Sequence, residues 1–298
     1  MSRLTDMLGS RYPIIHGPIG ALNSPELVAA VSEAGGFGML ALGFIRSVDE
    51  VKRLVDQVRE RTDKPFGANI MIMNPENRKF LQVLSDAGIK TVTTSVGSPS
   101  AVYPVIHDLG MKGLHVLLAL KHAIKAEEAG ADGLVIAGAE AGGFRSTGPE
   151  SSTMVLVPMV CDHVKIPVVA AGGIADSRGY RAALALGAEG VQVGTGFLVC
   201  AESPAHENLK KAIVDCKDGG TALVPVKNLM MRAILTPELK RDLDDPDTDL
   251  SGRFNPDTAY RTWEKGDFSQ MPAGAGAVSA LINDIKPVKE IIEEMVSQ

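Results

Sequence analysis

Glycines, one long loop and a few polar side chains carry most of the chemistry this sequence can offer. Two apolar runs end in glycine: PVVAAGGIADSRG contains Gly172 and Gly173, and GVQVGTGF contains Gly194, Thr195 and Gly196. Glycine lets backbone N–H groups approach a ligand with no β-carbon in the way, and a helix start behind such a turn favours an anion. One glycine run is equally well explained as a tight left-handed turn; two in succession favour a phosphate. The loop GAEAGGFRSTG, from Gly138 to Gly148, has glycines at 138, 142 and 143 that would let main chain lie flat against a planar ring. Arg145, Ser146 and Thr147 supply donors there. Asn69, closing the run FGANI, can donate and accept at once, which suits a heterocycle edge. Asparagine also caps turns, so Asn69 alone decides little.

Proton-transfer candidates are fewer. His16 follows the run PIIHG, and an imidazole near neutrality suits acid–base work; a loop histidine held by hydrogen bonds is the commoner use. Glu140 and Lys121 are weaker candidates. His107, His122, His163 and His206 fall in helical stretches and read as surface groups, while His115 lies in an apolar run and can point either way. Three cysteines, Cys161, Cys200 and Cys216, lack metal-ligand spacing and read as reduced thiols. No metal is expected. Cys161, within a helical pattern, is not placed as a loop nucleophile. Met71, Met73, Met230 and Met231 either fill core or wall an apolar channel.

Positioning these groups requires a regular scaffold. Apolar runs begin near Pro13, Phe37, Phe66, Thr91, Gly113, Gly133, Pro167 and Gly190, 20 to 34 residues apart. That spacing holds one strand, one helix and two loops. The runs are apolar throughout rather than alternating, as in a parallel sheet covered on both faces. Ser24-Pro25-Glu26 signals a helix start, Ser47 to Glu50 fits a capping box, and Ser98-Pro99 opens another helix. Glycines in AEAGG, DAGI, EEAGADG and ALGAEG mark helix ends. Eight units predict an α/β fold, a (β/α)₈ TIM barrel; an open doubly wound sheet is the alternative. Barrel ligands sit at the carboxyl ends of the strands, which is where the glycine turns fall. The 34-residue interval contains the loop 138–148, long enough to read as functional.

The rhythm breaks from about Ser203. Residues 1–215 read as the barrel and 216–298 as a C-terminal extension packed over its mouth. The acidic stretch 242–249 lacks the glycine and terminal glutamate of a calcium loop and reads as solvated. An amphipathic helix pattern, Ile285–Val296, is expected to pack back on the barrel. The 298 residues are 45% hydrophobic and 22% charged, which excludes disordered and fibrous classes. A net charge of -6 favours no nucleic-acid partner. No apolar run reaches the roughly 18 residues that span a bilayer. Charge in the first residues falls where a signal peptide needs its apolar stretch. A cytoplasmic protein is expected.

At these motifs the chain resembles the FMN-containing nitronate monooxygenases, formerly called 2-nitropropane dioxygenases. Flavin-type enoyl-acyl carrier protein reductases and NADH:quinone reductases are close relatives of that family. The resemblance covers roughly residues 8–210 and, more loosely, Gly266-Asp267 and Ala273–Ala277. It rests on YPIIHGPIG with SPELVAAVSEAGGFGML, TDKPFGANI, HAIKAEEAGADG, AGAEAGGF, PVVAAGGIADSRG and GAEGVQVGTGF. It implies a (β/α)₈ barrel holding FMN and acting on a small-molecule substrate. Gly17, Pro18 and Ile19 would lie along the flavin ring, Asn69 would contact it, and Ala141, Gly142 and Gly143 would line its other edge. Gly172, Gly173, Gly194 and Thr195 would hold the phosphate.

Two departures bear on the reaction. The family pattern reads EAGGH, its histidine serving as catalytic base or proton donor; here that position is Phe144. Relatives also carry a lysine in the fifth strand, where this chain has Val116. Phenylalanine transfers no proton, so His16 becomes the catalytic candidate. The resemblance implies oxidation of a nitronate or similar carbon acid through flavin N5, with dioxygen as acceptor. The alternative is an NAD(P)H-dependent reductase of an enoyl thioester or quinone. A barrel binding another phosphate ligand, or flavin without turnover, is the reading from a different class. A homodimer is expected only from the general habit of such enzymes.

Overall fold

The computed structural model describes residues 2–20, 22–253 and 255–297. Its strands, in chain order, are β1 (Ile14–His16), β2 (Gly38–Ala41), β3 (Phe66–Met71), β4 (Thr91–Ser95), β5 (Lys112–Leu117), β6 (Gly133–Ala137), β7 (Gly143–Arg145), β8 (Val168–Ala171), β9 (Gly190–Val193), β10 (Thr221–Val226) and β11 (Leu229–Ile234). Eight of them are parallel and ordered β1-β9-β8-β6-β5-β4-β3-β2. A parallel bridge between Ile15 and Phe37 joins the two ends, with His16 N–H donating to Phe37 O at 2.9 Å. The sheet is thereby a closed barrel, not the open doubly wound alternative.

Strand alternation sorts side chains into two apolar layers. Ile15, Met39, Leu114, Val135 and Val169 fill the barrel interior. Ile14, Leu40, Ala68, Leu134 and Val191 point outward against the helices. Leu4 and Leu8, from the helix Arg3–Leu8, join the interior layer. That helix sits at the amino ends of the strands, where Thr91 Oγ1 donates to Met7 O at 2.8 Å. The opposite end is left for ligands.

The helix signals act largely as their chemistry dictates. Ser24 accepts from Leu27 N–H ahead of Pro25, and Ser47 accepts from Glu50 N–H, the serine half of a capping box. Gly130 and Gly187 end their helices with φ of +91° and +99°. Ser98-Pro99 departs from expectation. It opens a three-residue 3₁₀ turn with no side-chain cap, and the six-residue helix Tyr103–Asp108 follows.

The tail packs differently from a division at 215/216. A second apolar cluster begins at Leu198 and Val199, continues through Leu209, Ile213 and Cys216, and recruits Leu22 from the barrel's first loop. The boundary in packing therefore precedes the helix Glu207–Val214. β10 and β11 form a hairpin, and β7 joins it as a third antiparallel strand. Three residues of the long loop after β6, Gly143–Arg145, are thus strand. The closing helix Val288–Val296 returns to the barrel and buries Val288, Ile292 and Met295 in the outer layer. Among the described residues no helix is long and apolar enough to cross a membrane, and no cluster of His, Cys, Asp or Glu is arranged to hold a metal ion.

Candidate active site

A cavity of about 310 Å³ opens at the carboxyl ends of the barrel strands. That is within the size range of small-ligand pockets. All eleven residues expected at a ligand line it: Gly17, Pro18, Ile19, Asn69, Ala141, Gly142, Gly143, Gly172, Gly173, Gly194 and Thr195. Phe144 and Val116 line it too, at the positions where the family resemblance implies histidine and lysine. Met71 and Met231 face the cavity, whereas Met73 is exposed and Met230 lies outside the lining.

The glycines fall into two kinds. A β-carbon on Gly172 would come within 2.8 Å of Ala141 N, and one on Gly142 within 2.7 Å of the Ala275–Gly276 backbone. These two are glycine because protein segments meet there. Gly194 is different. Its φ of −103° suits any residue, and a β-carbon on it would meet nothing within 4 Å. Nothing in the chain itself demands glycine at 194; the side chain it lacks would stand in the cavity.

Asn69 is buried and fixed from both sides. Its Nδ2 donates to Thr93 Oγ1 at 2.8 Å, and its Oδ1 accepts from Ser95 Oγ at 3.2 Å. Its second N–H has no such claim on it. The tail supplies the remaining wall. Gly276 N–H donates to Thr195 Oγ1 at 3.0 Å, Ala277 N–H to Glu140 O at 2.9 Å, and Arg232 Nε to Ala139 O at 3.1 Å.

Four expectations are corrected by the geometry. His16 does not line the cavity. Alternation puts Ile15 and Gly17 on the inner side, so His16 points outward, edge-on to Phe197 with ring centroids 5.7 Å apart. Neither ring nitrogen has a hydrogen-bond partner of normal geometry. Burial holds its pKa down to about 4, opposed only by the Met39 backbone. It is a neutral core histidine, not a proton-transfer group. His115 is likewise outward, bonded to Thr94 Oγ1 at 2.8 Å, its pKa lowered to about 4 chiefly by burial.

Arg145 is the second correction. Its guanidinium is buried and spent on Glu150 Oε2 at 2.9 Å and on the carbonyls of Ala137 and Gly138. It braces the loop rather than offering donors to a ligand, and Ser146 and Thr147 lie outside the lining. Third, the helix Ser177–Ala185 behind Gly173 presents no open positive end. Asp176 Oδ1 already accepts from Arg178 N–H and Gly179 N–H at 2.9 and 3.3 Å. An anion beside Gly173 would rest chiefly on the turn, since Asp176 already takes two of that helix's first N–H groups. Fourth, the remaining acid–base substitutes fail. Glu140 lines the cavity, but its carboxylate caps the helix Thr153–Cys161 through Thr153 N–H at 2.8 Å; Lys121 is exposed and outside the lining. Cys161 is half-buried, and burial pushes its thiol pKa up, so no thiolate nucleophile arises there.

Comparison with known proteins settles what kind of barrel this is. The nitronate monooxygenase family matches over residues 1–80 and 76–298. The chain belongs to the nitronate monooxygenase family. A probable nitronate monooxygenase of Staphylococcus saprophyticus is 32% identical over 269 residues, 76% of each chain. Among solved structures, FabK from Thermotoga maritima superposes with a TM-score of 0.89 at 35% identity, over 99% of this chain and 95% of that one. A nitroalkane oxidase from Streptomyces ansochromogenes gives 0.83 at 27% identity, over 99% and 96%. This nitronate monooxygenase family member is an oxidoreductase, and its family works with a flavin.

Three lining positions were not singled out from sequence. Gln192, Ser95 and Trp263 all line the cavity of this family member. Gln192 was legible in principle, since it shares strand parity with the lining Gly194; Ser95 stands beside the lining Met71 in the β3–β4 pairing, a register that no local pattern gives. Trp263 comes from the helix Pro256–Glu264, and no local pattern announces that contact.

Proposed function

We propose that this chain is an FMN-dependent nitronate monooxygenase that oxidises a nitronate or similar small carbon acid. The observation that carries the cofactor reading is Gly194, a lining glycine with open space where its β-carbon would be and no backbone reason to be glycine. A phosphate needs such clearance to meet main-chain N–H groups. Gly173, Gly194 and Thr195 would hold the phosphate, and Gly17, Pro18, Ile19, Asn69 and 141–143 the ring. Bound there, FMN supplies two-electron chemistry at its N5.

Substrate choice follows from the lining. Among the described residues, no histidine or lysine side chain lines the cavity. Neutral nitroalkanes must lose a carbon-bound proton before oxidation; nitronates arrive already deprotonated. A cavity without a base therefore suits the nitronate. Phe44, Met71, Phe144 and Met231 give the cavity an apolar wall. The same apolar wall supports a second reading, an NAD(P)H-dependent FMN reductase of an enoyl thioester or quinone.

The visible spectrum of purified protein tests the cofactor: flavin bands, with FMN released by heat, are expected. Anaerobic mixing then separates the readings. Bleaching by alkyl nitronates supports the first, rapid bleaching by NADH or NADPH the second, and bleaching by neither refutes both.

A further inference from the structure

Val96 holds a backbone conformation that its own side chain opposes. Its φ is +51°; among the described residues, only Lys227 in the β10–β11 turn shares a positive φ without being glycine. A β-branched residue in the left-handed region is a genuine outlier, because its Cβ crowds the following carbonyl. Such strain persists only where the surroundings over-determine it.

Here they do. The last paired residues of β3 and β4 are Met71 and Ser95. Beyond them, Ile72 N–H donates to Ser95 O at 2.8 Å and Met73 N–H to Val96 O at 3.2 Å, so Val96 is pinned between two cross-strand bonds. Gly97 follows at a φ of +147°, so close to Ile72 that a β-carbon on it would be 2.6 Å from Ile72 Cβ.

Position gives the strain a use. Val96 lines the cavity yet is 36% exposed, which places it at the rim. One residue earlier, Ser95 Oγ donates to Asn69 Oδ1 at 3.2 Å, and Asn69 belongs to the ring end of the proposed cofactor site. A substrate bound for the ring end passes Val96.

We infer that Val96 is a specificity-determining residue: its branched side chain, held at the mouth by a strained backbone, sets an upper limit on substrate alkyl length. The inference rests on the reading of the cavity as a site for small carbon acids. Short nitronates fall within the limit, and a chain extended past the rim meets the isopropyl group.

The test uses straight-chain carboxylates from acetate to octanoate, unreactive anions of nitronate shape, titrated calorimetrically into purified protein. In the parent, affinity should rise with added methylenes and then fall at one chain length by on the order of tenfold, the discrimination a filled pocket makes against one methylene too many. Val96→Gly should move that break to longer chains or abolish it. Asparagine tolerates the left-handed region with a side chain of similar size, so Val96→Asn should keep the break. Urea unfolding supplies a readout that a substrate contact alone would not move. Val96→Asn should raise the folding equilibrium constant by on the order of tenfold as strain is relieved. Val96→Gly should gain less, because it also frees the unfolded chain. Affinity that rises through octanoate in the parent, or a break unchanged in Val96→Gly, overturns the limit. An asparagine variant no more stable than the parent overturns the strain that holds Val96 in place. A parent that binds none of the carboxylates also overturns the limit. One that ranks them with the expected break but oxidises no nitronate keeps the limit and refutes the proposed reaction.

Discussion

Phe144 stands opposite Met231 in the antiparallel pairing of β7 with β11, and both side chains line the cavity. The position where the family resemblance implies a proton-transfer group is therefore packed into an apolar wall anchored by the tail sheet. Phe144→His is expected to leave flavin content unchanged, since none of the phosphate-end residues moves. Turnover of nitronates should change little. Turnover of neutral nitroalkanes should rise from near zero by about 10²-fold, the lower range for a positioned general base. Steady-state rates on matched nitroalkane and nitronate pairs read this directly; a parent enzyme that already oxidises the neutral acids equally well contradicts the base-free account.

Gly194 and Gly173 test the phosphate end in different ways. Gly194→Val adds atoms to open cavity at an ordinary φ, so unfolding stability should stay within about 0.5 kcal/mol of the parent. Flavin should nonetheless be lost on purification. Gly173→Asp adds a charge beside the expected phosphate, worth roughly 3 kcal/mol of affinity at about 5 Å in a surface-like dielectric. Glu140 lies close by: its Cβ would be 3.7 Å from the new Cβ, which adds like-charge repulsion. Full flavin content in both variants, measured after gel filtration, would remove the phosphate from this end of the cavity.

His16→Leu separates a core histidine from a catalytic one. The two ring nitrogens make no hydrogen bond, so replacing them with carbon should cost nothing at pH 7 and leave turnover intact. The pH dependence carries more. His16 and His115 titrate near 4 in the folded chain and near 6.5 unfolded, so the unfolded state takes up protons first as pH falls. Stability is then full above about 6.5 and lost between about 6.5 and 4, by up to roughly 3 kcal/mol per histidine. Urea unfolding of the parent and His16→Leu across that range should show the shallower slope in the variant. Loss of turnover in a folded His16→Leu protein would instead restore its catalytic role.

Arg145 and Glu150 form a buried ion pair that holds the loop between β6 and its helix, with the arginine also bonded to Ala137 O and Gly138 O. Arg145→Met strands the carboxylate and should cost about 3–5 kcal/mol. The double variant Arg145→Met/Glu150→Met removes the stranded charge and should recover much of it, though Ala137 O and Gly138 O each lose the arginine donor, Gly138 O keeping Ala141 N–H at 3.0 Å. Thermal unfolding of the three proteins measures the difference. Additive losses would show that the two residues act separately.

How much of this was legible depended on the range of the interaction. Most of the eight parallel strands were readable as short apolar runs at regular spacing, a local pattern; β4, Thr91-Val-Thr-Thr-Ser95, is the polar exception. Asn69 and the glycines at 142, 143, 172, 173 and 194 followed from the rule that barrel ligands sit at carboxyl strand ends; Gly17, Pro18, Ile19 and Ala141 came only with the family resemblance. His16 was misread for want of one step of alternation: Ile15 inside forces His16 out. Arg145 looked like a ligand donor because Glu150, five residues on, gives no hint of a buried pair. Asp176 was counted within a glycine-rich turn, yet its carboxylate fills the helix end that turn was thought to lend. Trp263 and the β7–β11 pairing join segments about a hundred residues or more apart, and no short motif encodes them.

Trp263 offers the last test, because it is the only tryptophan in the sequence and its indole lines the cavity. The ring lies against Gly20, where a β-carbon would fall 1.9 Å from Trp263 Cη2, at a φ of +50°. A flavin in the cavity would sit within energy-transfer range of that single fluorophore. Loading FMN into stripped protein should therefore quench most of the tryptophan emission, saturating at one flavin per chain. Gly20→Ala should displace the indole, shift its emission towards that of exposed tryptophan and cost about 1–3 kcal/mol, of which about 1–2 is backbone strain alone. Its flavin should quench less, since the indole has left the wall. Unquenched emission from fully loaded parent protein would mean that flavin and Trp263 do not share this cavity.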